Sequence, residues 1–148
     1  MDKPISSFLR STFLVHLIIG VLLGVFLFLI PGRFLTFLGW VPEGVEILDT
    51  ELTVPGSTFV DPIITRLLGS AILALTISSF LGWRASTWGQ VSLIVQTELA
   101  YSLLGSVALF SAFFLLERPM PIIGYVILVT LLAFGAAWAW AYRQGTRA

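Results

Sequence analysis

The chain has 148 residues, of which 57% are hydrophobic and 11% charged, with eight basic and eight acidic side chains. A soluble domain has about 25% charged residues, so this composition argues against an ordinary soluble fold. Without net charge or a basic stripe, nucleic-acid binding is not expected. The lack of cysteine excludes disulfides, a thiolate nucleophile and cysteine-ligated metal clusters.

Four long apolar stretches follow one another, at residues 9–30, 62–81, 91–116 and 121–141. Each reaches the roughly 20 residues that an α-helix needs to cross a bilayer. Hydrocarbon offers no partner to the backbone, so each stretch should be a helix. We therefore predict a single all-α domain, an antiparallel up-down four-helix bundle in the membrane. The first stretch is too long for a signal peptide and lacks a small-residue cleavage site, so we interpret it as retained.

Residues 31–61 form the only sizeable loop between the predicted helices. Residues 33–40 have the composition of a segment lying on the membrane surface. Residues 46–54 read as extended and precede Pro55-Gly56, which leaves room for a small β-hairpin. The loop is acidic, which fits a cation site or a surface for a basic partner, but a solvated outer loop is the favoured interpretation.

Several residues mark the helix ends and the membrane boundaries. Asp61-Pro62 fits the start of the second long helix, and Thr87 with Gln90 fits a capping box for the third. Amphipathic aromatic rings settle at membrane interfaces, and all five tryptophans lie near predicted ones. These aromatic residues are Trp40, Trp83, Trp88, Trp138, Trp140 and Tyr142.

Charge asymmetry predicts the orientation. Four spans place both termini on one side, and that side has the larger number of basic residues. They are Lys3, Arg10, Arg84, Arg143 and Arg147, against Arg33 and Arg118 on the other side, where Arg66 lies just inside a helix. By the positive-inside rule we expect a multi-pass plasma-membrane protein with both termini cytoplasmic.

Glu98 is the most informative polar residue, since it lies about 12 Å into the third helix at 1.5 Å per residue. A carboxylate at that depth must be paired, protonated or in contact with water. His16, at nearly the same depth on the first helix, and Arg66, near the outer end of the second, are its candidate partners. Gln96 and Tyr101 complete the predicted polar cluster, with Thr76, Ser78 and Ser79 on the second helix available to line it.

Two interpretations of this cluster remain open. It is a proton relay or a ligand anchor, or it is a hydrogen-bonded clasp between helices, which the sequence favours. One histidine and one glutamate make a poor metal set, and nothing in the spacing supports a serine triad.

Small residues mark the faces where helices can approach closely. Gly20 and Gly24 form a GxxxG pair, which lets another helix of this chain or of a partner pack against it. The other predicted packing glycines are Gly69, Gly105 and Gly135.

Two stretches carry a family resemblance. Pro31-Gly32-Arg33-Phe34-Leu35, followed by Arg66-Leu67-Leu68-Gly69-Ser70-Ala71, resembles a pattern in small bacterial four-helix membrane proteins, and the hydropathy is similar to that of DoxX-like proteins. The resemblance covers about the first half of the chain and implies a compact four-helix bundle in a prokaryotic inner membrane. Some DoxX-like proteins are associated with quinone or thiosulfate oxidation complexes, but no residue set carries over.

The sequence favours a non-enzymatic role, with no cofactor identified. The first hypothesis is a small accessory subunit that packs against other membrane subunits, or against itself, among membrane lipids. The alternative is binding or transport of a lipophilic molecule such as a quinone, lipid or pigment, anchored by Glu98, His16 and Arg66. A proton- or ion-coupled transporter ranks last, because the spans hold no second acid and no broken helix.

Overall fold

The computed structural model describes residues 3–40, 62–115 and 120–147, and these form five helices. They are α1 (Ser7–Leu29), α2 (Pro31–Phe37), α3 (Pro62–Arg84), α4 (Trp88–Leu115) and α5 (Ile122–Thr146). All except α2 are long and apolar enough to cross a membrane. The all-α four-helix architecture is therefore confirmed. The predicted hairpin at 46–54 lies outside the described residues.

Both chain ends lie at the same end of the bundle, which we call the terminal end. Lys3 Nζ donates to the carbonyl of Gln144 at 2.7 Å. The backbone N–H groups of Ile5 and Trp88 bond to Ser86 O at 3.1 Å and Lys3 O at 2.7 Å. These bonds tie the first residues of the chain to the α3–α4 turn and to the end of α5, as an even number of spans requires.

The helix-start signals are confirmed in part. Pro62 is the first residue of α3, while Asp61 lies outside the described residues. Gln90 Oε1 accepts from the N–H groups of Ser86 at 3.0 Å and Thr87 at 3.3 Å, which is the glutamine half of the predicted capping box. The predicted surface segment at 33–40 overlaps the short helix α2, and Gly39 beyond it has a positive φ of 75°.

The helices pack as two close pairs, α1 with α3 and α4 with α5. In the first pair the backbones almost touch. A Cβ on Gly69 would lie 2.7 Å from Phe28 N, and one on Gly24 would lie 3.3 Å from Gly69 O. The GxxxG pair therefore packs within this chain. The short α3–α4 turn predicts neighbouring helices, yet α3 packs mainly on α1, because glycines face each other there.

The α4–α5 pair uses the other two predicted packing glycines. A Cβ on Gly105 would meet Leu131 Cδ1 at 3.0 Å, and one on Gly135 would meet Ser102 Cβ at 3.6 Å. These neighbours are side-chain atoms, so this pair lies less tightly than α1 and α3 do at Gly69.

The large buried side chains lie toward the terminal end, where the two pairs meet. This core consists of Leu9, Phe13, Val91, Val95, Trp138 and Ala141. The prediction that Trp138 lies at the membrane interface is wrong, because its side chain is 0% exposed and packs inward against Phe13. Trp140, two residues later, is 55% exposed and faces outward. The helical period puts the two indoles on opposite sides of α5.

Candidate functional site

Glu98 lies at the centre of a buried polar cluster between the two helix pairs. Its side chain is 0% exposed although it projects from the middle of an apolar span. The hydroxyl of Ser79 donates to Glu98 Oε1 at 3.1 Å. Ser78 Oγ lies at the same distance from Oε1, but it divides its single proton between Oε1 and Leu75 O, which is closer at 2.7 Å. Adjacent serines of α3 thus hold one oxygen of a carboxyl group of α4, and the α3–α4 contact is polar at this depth.

His16 of α1 joins the same cluster with both ring nitrogens. Nδ1 lies 2.8 Å from Ser79 Oγ, and Nε2 lies 3.6 Å from Glu98 Oε2. These contacts close a ring with three links, which join Glu98 Oε1 to Ser79, Ser79 to His16 Nδ1, and His16 Nε2 to Glu98 Oε2. The third link is longer than a hydrogen bond, which rarely exceeds 3.2 Å. This link is the open position of the ring.

The number of protons in the ring follows from its donors and acceptors. If Ser79 donates to Glu98 Oε1, its oxygen accepts from His16 Nδ1–H, and Nε2 then has a free lone pair. One further proton, on either Oε2 or Nε2, would point into the last link, whose 3.6 Å is too long for a hydrogen bond. The cluster is then neutral overall, as a neutral acid beside a neutral imidazole or as an ion pair. Overall neutrality is what a site surrounded by hydrocarbon requires.

Aromatic rings of α5 close the other side of the imidazole. Phe134 and Trp138 present their rings edge-on to His16, with centroid distances of 5.0 Å and 5.9 Å. All four spanning helices therefore contribute to the site, which explains why it lies where the two pairs meet. The side chain of His16 keeps 15% of its surface exposed, whereas Glu98 and Ser79 are fully buried.

Two buried polar atoms of this site have no hydrogen-bond partner among the described residues. They are Glu98 Oε2 and Trp138 Nε1, each on a side chain that is 0% exposed. Both side chains lie against His16. One atom is an acceptor or an acid, and the other is an obligate donor. Unpaired buried polar atoms are rare in native proteins and each calls for an explanation, of which a bound polar group is one.

Sequence reasoning identified part of this cluster. Glu98, His16, Ser78 and Ser79 come together as predicted, while Thr76 donates to its own helix at Ile72 O. The missed members are Phe134 and Trp138. Their i, i+4 spacing on α5 was visible in the sequence, but which face of α5 turns inward was not.

Three of the predicted site residues lie elsewhere or at the margin. Arg66 is exposed and precedes Ser78 by twelve residues, which is about 18 Å along α3, so it does not pair with Glu98. Gln96 is exposed on the opposite face of α4. Tyr101 is half-buried one turn beyond Glu98.

Other candidate sites in the described part of the chain are sparse. No three His, Cys, Asp or Glu side chains come together there to hold a metal ion. An open groove of about 420 Å³ lies at the terminal end, lined by Ile5, Ser7, Arg10, Ser11, Leu14 and Trp83. None of these residues belongs to the buried cluster.

Comparison with protein-family models, with curated proteins and with solved structures finds no match to this chain. The DoxX-like resemblance therefore stays a prediction.

Proposed function

We propose that this protein binds a lipophilic molecule through a carbonyl or hydroxyl group, which bonds to Glu98 and Trp138 beside His16. The observation that carries the proposal is the pair of unpartnered atoms, Glu98 Oε2 and Trp138 Nε1, at full burial. A carbonyl oxygen accepts from the indole N–H, and a hydroxyl donates to the carboxylate. A quinone-type head group offers both groups in its oxidised and reduced forms.

The chemistry of the ring adds proton exchange to binding. Glu98 Oε2 and His16 Nε2 face each other across 3.6 Å at the open link, where a bound group would contact two atoms that can each hold a proton. The imidazole beside this link keeps 15% of its side-chain surface exposed. The site is therefore suited to a ligand that takes up or releases a proton when it binds.

The accessory-subunit hypothesis loses one of its three arguments. It relied on small-residue faces that were free to meet a partner, but Gly20 and Gly24 pack against α3 of the same chain. Small size and few polar groups remain in its favour, so we rank it below ligand binding. Arg66 is not part of the ligand anchor that we propose.

The proposed location is a bacterial inner membrane with the terminal end in the cytoplasm. Lys3, Arg10, Arg84 and Arg143 all belong to segments that meet at this end. Their clustering supports the orientation through the positive-inside rule.

Short-chain quinone titration tests the binding proposal. Decylubiquinone, kept reduced as the quinol so that its hydroxyls can donate to Glu98, is added to purified protein in mild detergent. Quenching of tryptophan fluorescence is then followed for wild type and for Glu98→Gln. A hydrogen bond to a charged group contributes about 1.5–3 kcal/mol, so affinity should fall at least about tenfold in the variant. Thr97→Val is the matched control, because it removes a hydroxyl of α4 that bonds only to its own helix.

The outcomes separate ligand binding from a purely structural role. The proposal is contradicted if Glu98→Gln and Thr97→Val bind the added quinol with equal affinity. It is also contradicted if the wild type binds neither the quinol nor lipids recovered by organic extraction. If Glu98→Gln does not fold, Trp138→Phe replaces it, since that change removes the indole N–H and keeps an aromatic ring against Phe13. A Trp138→Phe protein that folds and binds with unchanged affinity would contradict the proposal.

A further inference from the structure

The face of α4 opposite Glu98 carries a regular row of exposed residues. Leu93, Gln96, Ala100, Leu103 and Val107 alternate at spacings of three and four, and we call them the outer stripe. Leu93 and Val107 are 73% and 67% exposed. Residues on one outward face of an α-helix recur at spacings of three and four, and the same spacing allows two helices to pack side by side along their length.

Gln96 distinguishes this stripe from an ordinary lipid-facing surface. It lies about 7.5 Å beyond Val91 along α4, and no hydrogen bond joins its amide to another described residue. The neighbouring exposed hydroxyls of Ser92 and Thr97 bond to Gly89 O and Leu93 O within the helix. The longer glutamine side chain has no such bond, and a bare amide in hydrocarbon is unfavourable.

We propose that the outer stripe is the interface of a homodimer, in which the Gln96 amides of two copies hydrogen-bond to each other. All copies insert with the same orientation, so two α4 helices packed about a two-fold axis run parallel, and identical residues meet at identical depth. A primary amide has both a donor and an acceptor, so glutamine is self-complementary in this geometry. Ala100, one turn away, leaves room for the helices to approach.

The dimer is independent of the ligand proposal. Gln96 and Glu98 are two residues apart, which is about 200° around the helix, so the stripe faces away from the buried cluster. Association through the stripe leaves the hydrogen bonds of Glu98 and His16 unchanged. Loss of dimerisation therefore says nothing about ligand binding, and the reverse also holds.

Site-directed cross-linking in native membranes tests the interface directly, because the chain has no cysteine of its own. Single variants Ala100→Cys and Leu103→Cys place a thiol on the stripe, while Ile18→Cys and Ile77→Cys place one on the exposed faces of α1 and α3. Oxidation should give covalent dimers for the two stripe variants and monomers for the two controls. Absence of dimers for the stripe variants, or equal cross-linking at all four sites, would overturn the proposal.

Energy transfer between labelled copies in lipid vesicles measures the contribution of the amide. Gln96→Leu should raise the dimer dissociation constant about threefold or more, given the measured range of hydrogen bonds between membrane helices. Thr97→Val, one residue away and off the stripe, should leave the constant unchanged. The proposal fails if Gln96→Leu behaves like wild type, or if Ala100→Cys cross-links to a different protein.

Discussion

The two main helix interfaces of this bundle, which we call seams, are formed by different kinds of residue. Between α1 and α3 the helices meet backbone to backbone, with Gly24 and Gly69 at the crossing. Between the two helix pairs the contact is made by large and polar side chains, with Trp138, Phe13 and Glu98 at the centre. The glycine seam tolerates no added volume, whereas the polar-aromatic seam depends on specific side chains and holds the unpartnered atoms. Close backbone packing holds α1 and α3 rigidly together, and the looser seam contains the polar atoms that can bind another group.

The largest effect should come from emptying the polar-aromatic seam. Trp138→Ala removes a fully buried indole, and such changes cost about 3–5 kcal/mol of unfolding free energy. Trp140→Ala on the same helix removes an indole that is 55% exposed, and should cost under about 1 kcal/mol. Unfolding in mixed micelles with increasing dodecyl sulfate measures both. Equal losses would mean that the two pairs are not held together at Trp138.

A single methyl group should distinguish the glycine seam from the α4–α5 pair. Gly69→Ala places a Cβ 2.7 Å from Phe28 N, a backbone atom that cannot rotate away, and overpacking of this kind costs about 1–3 kcal/mol. Gly105→Ala meets only the end of the Leu131 side chain at 3.0 Å, so a loss below about 1 kcal/mol is expected. The apparent melting temperatures of the two variants, determined by circular dichroism, report the difference. A larger loss at Gly105 would contradict the assignment of the tight seam to α1 and α3.

The smallest effect concerns the hydroxyls. Ser79→Ala removes the middle link between His16 and Glu98, and bonds between membrane helices contribute about 0.6–1.7 kcal/mol each. Ser70→Ala, on the same helix, removes an exposed hydroxyl that bonds only to Leu67 O, and should change stability by less than about 0.5 kcal/mol. The same micelle titration compares them. If the two variants are equally stable, the ring contributes nothing measurable to the fold.

Much of the fold was predictable because hydrocarbon leaves few choices. The four spans, their antiparallel order and the start of α3 at Pro62 follow from run lengths and the need to satisfy backbone groups within each helix. The association of Glu98 with His16 was predictable too, because the two residues lie at matching depths and a carboxyl group in hydrocarbon needs a polar partner. The role given to Trp138 was wrong because position along a helix says nothing about which side faces inward.

Sequence by itself determined that this is a membrane bundle and that the carboxyl group of Glu98 needs a partner. Both follow from composition and depth, because these alone set the free-energy cost of burying polar groups in lipid. Only the tertiary structure decided which faces meet. It placed Gly69 against α1, directed Glu98 inward and Gln96 outward, and put Arg66 far from both. Rotation of each helix about its axis depends on the packing of all four together, and nearly uniform apolar helices carry little of that information in their own sequence.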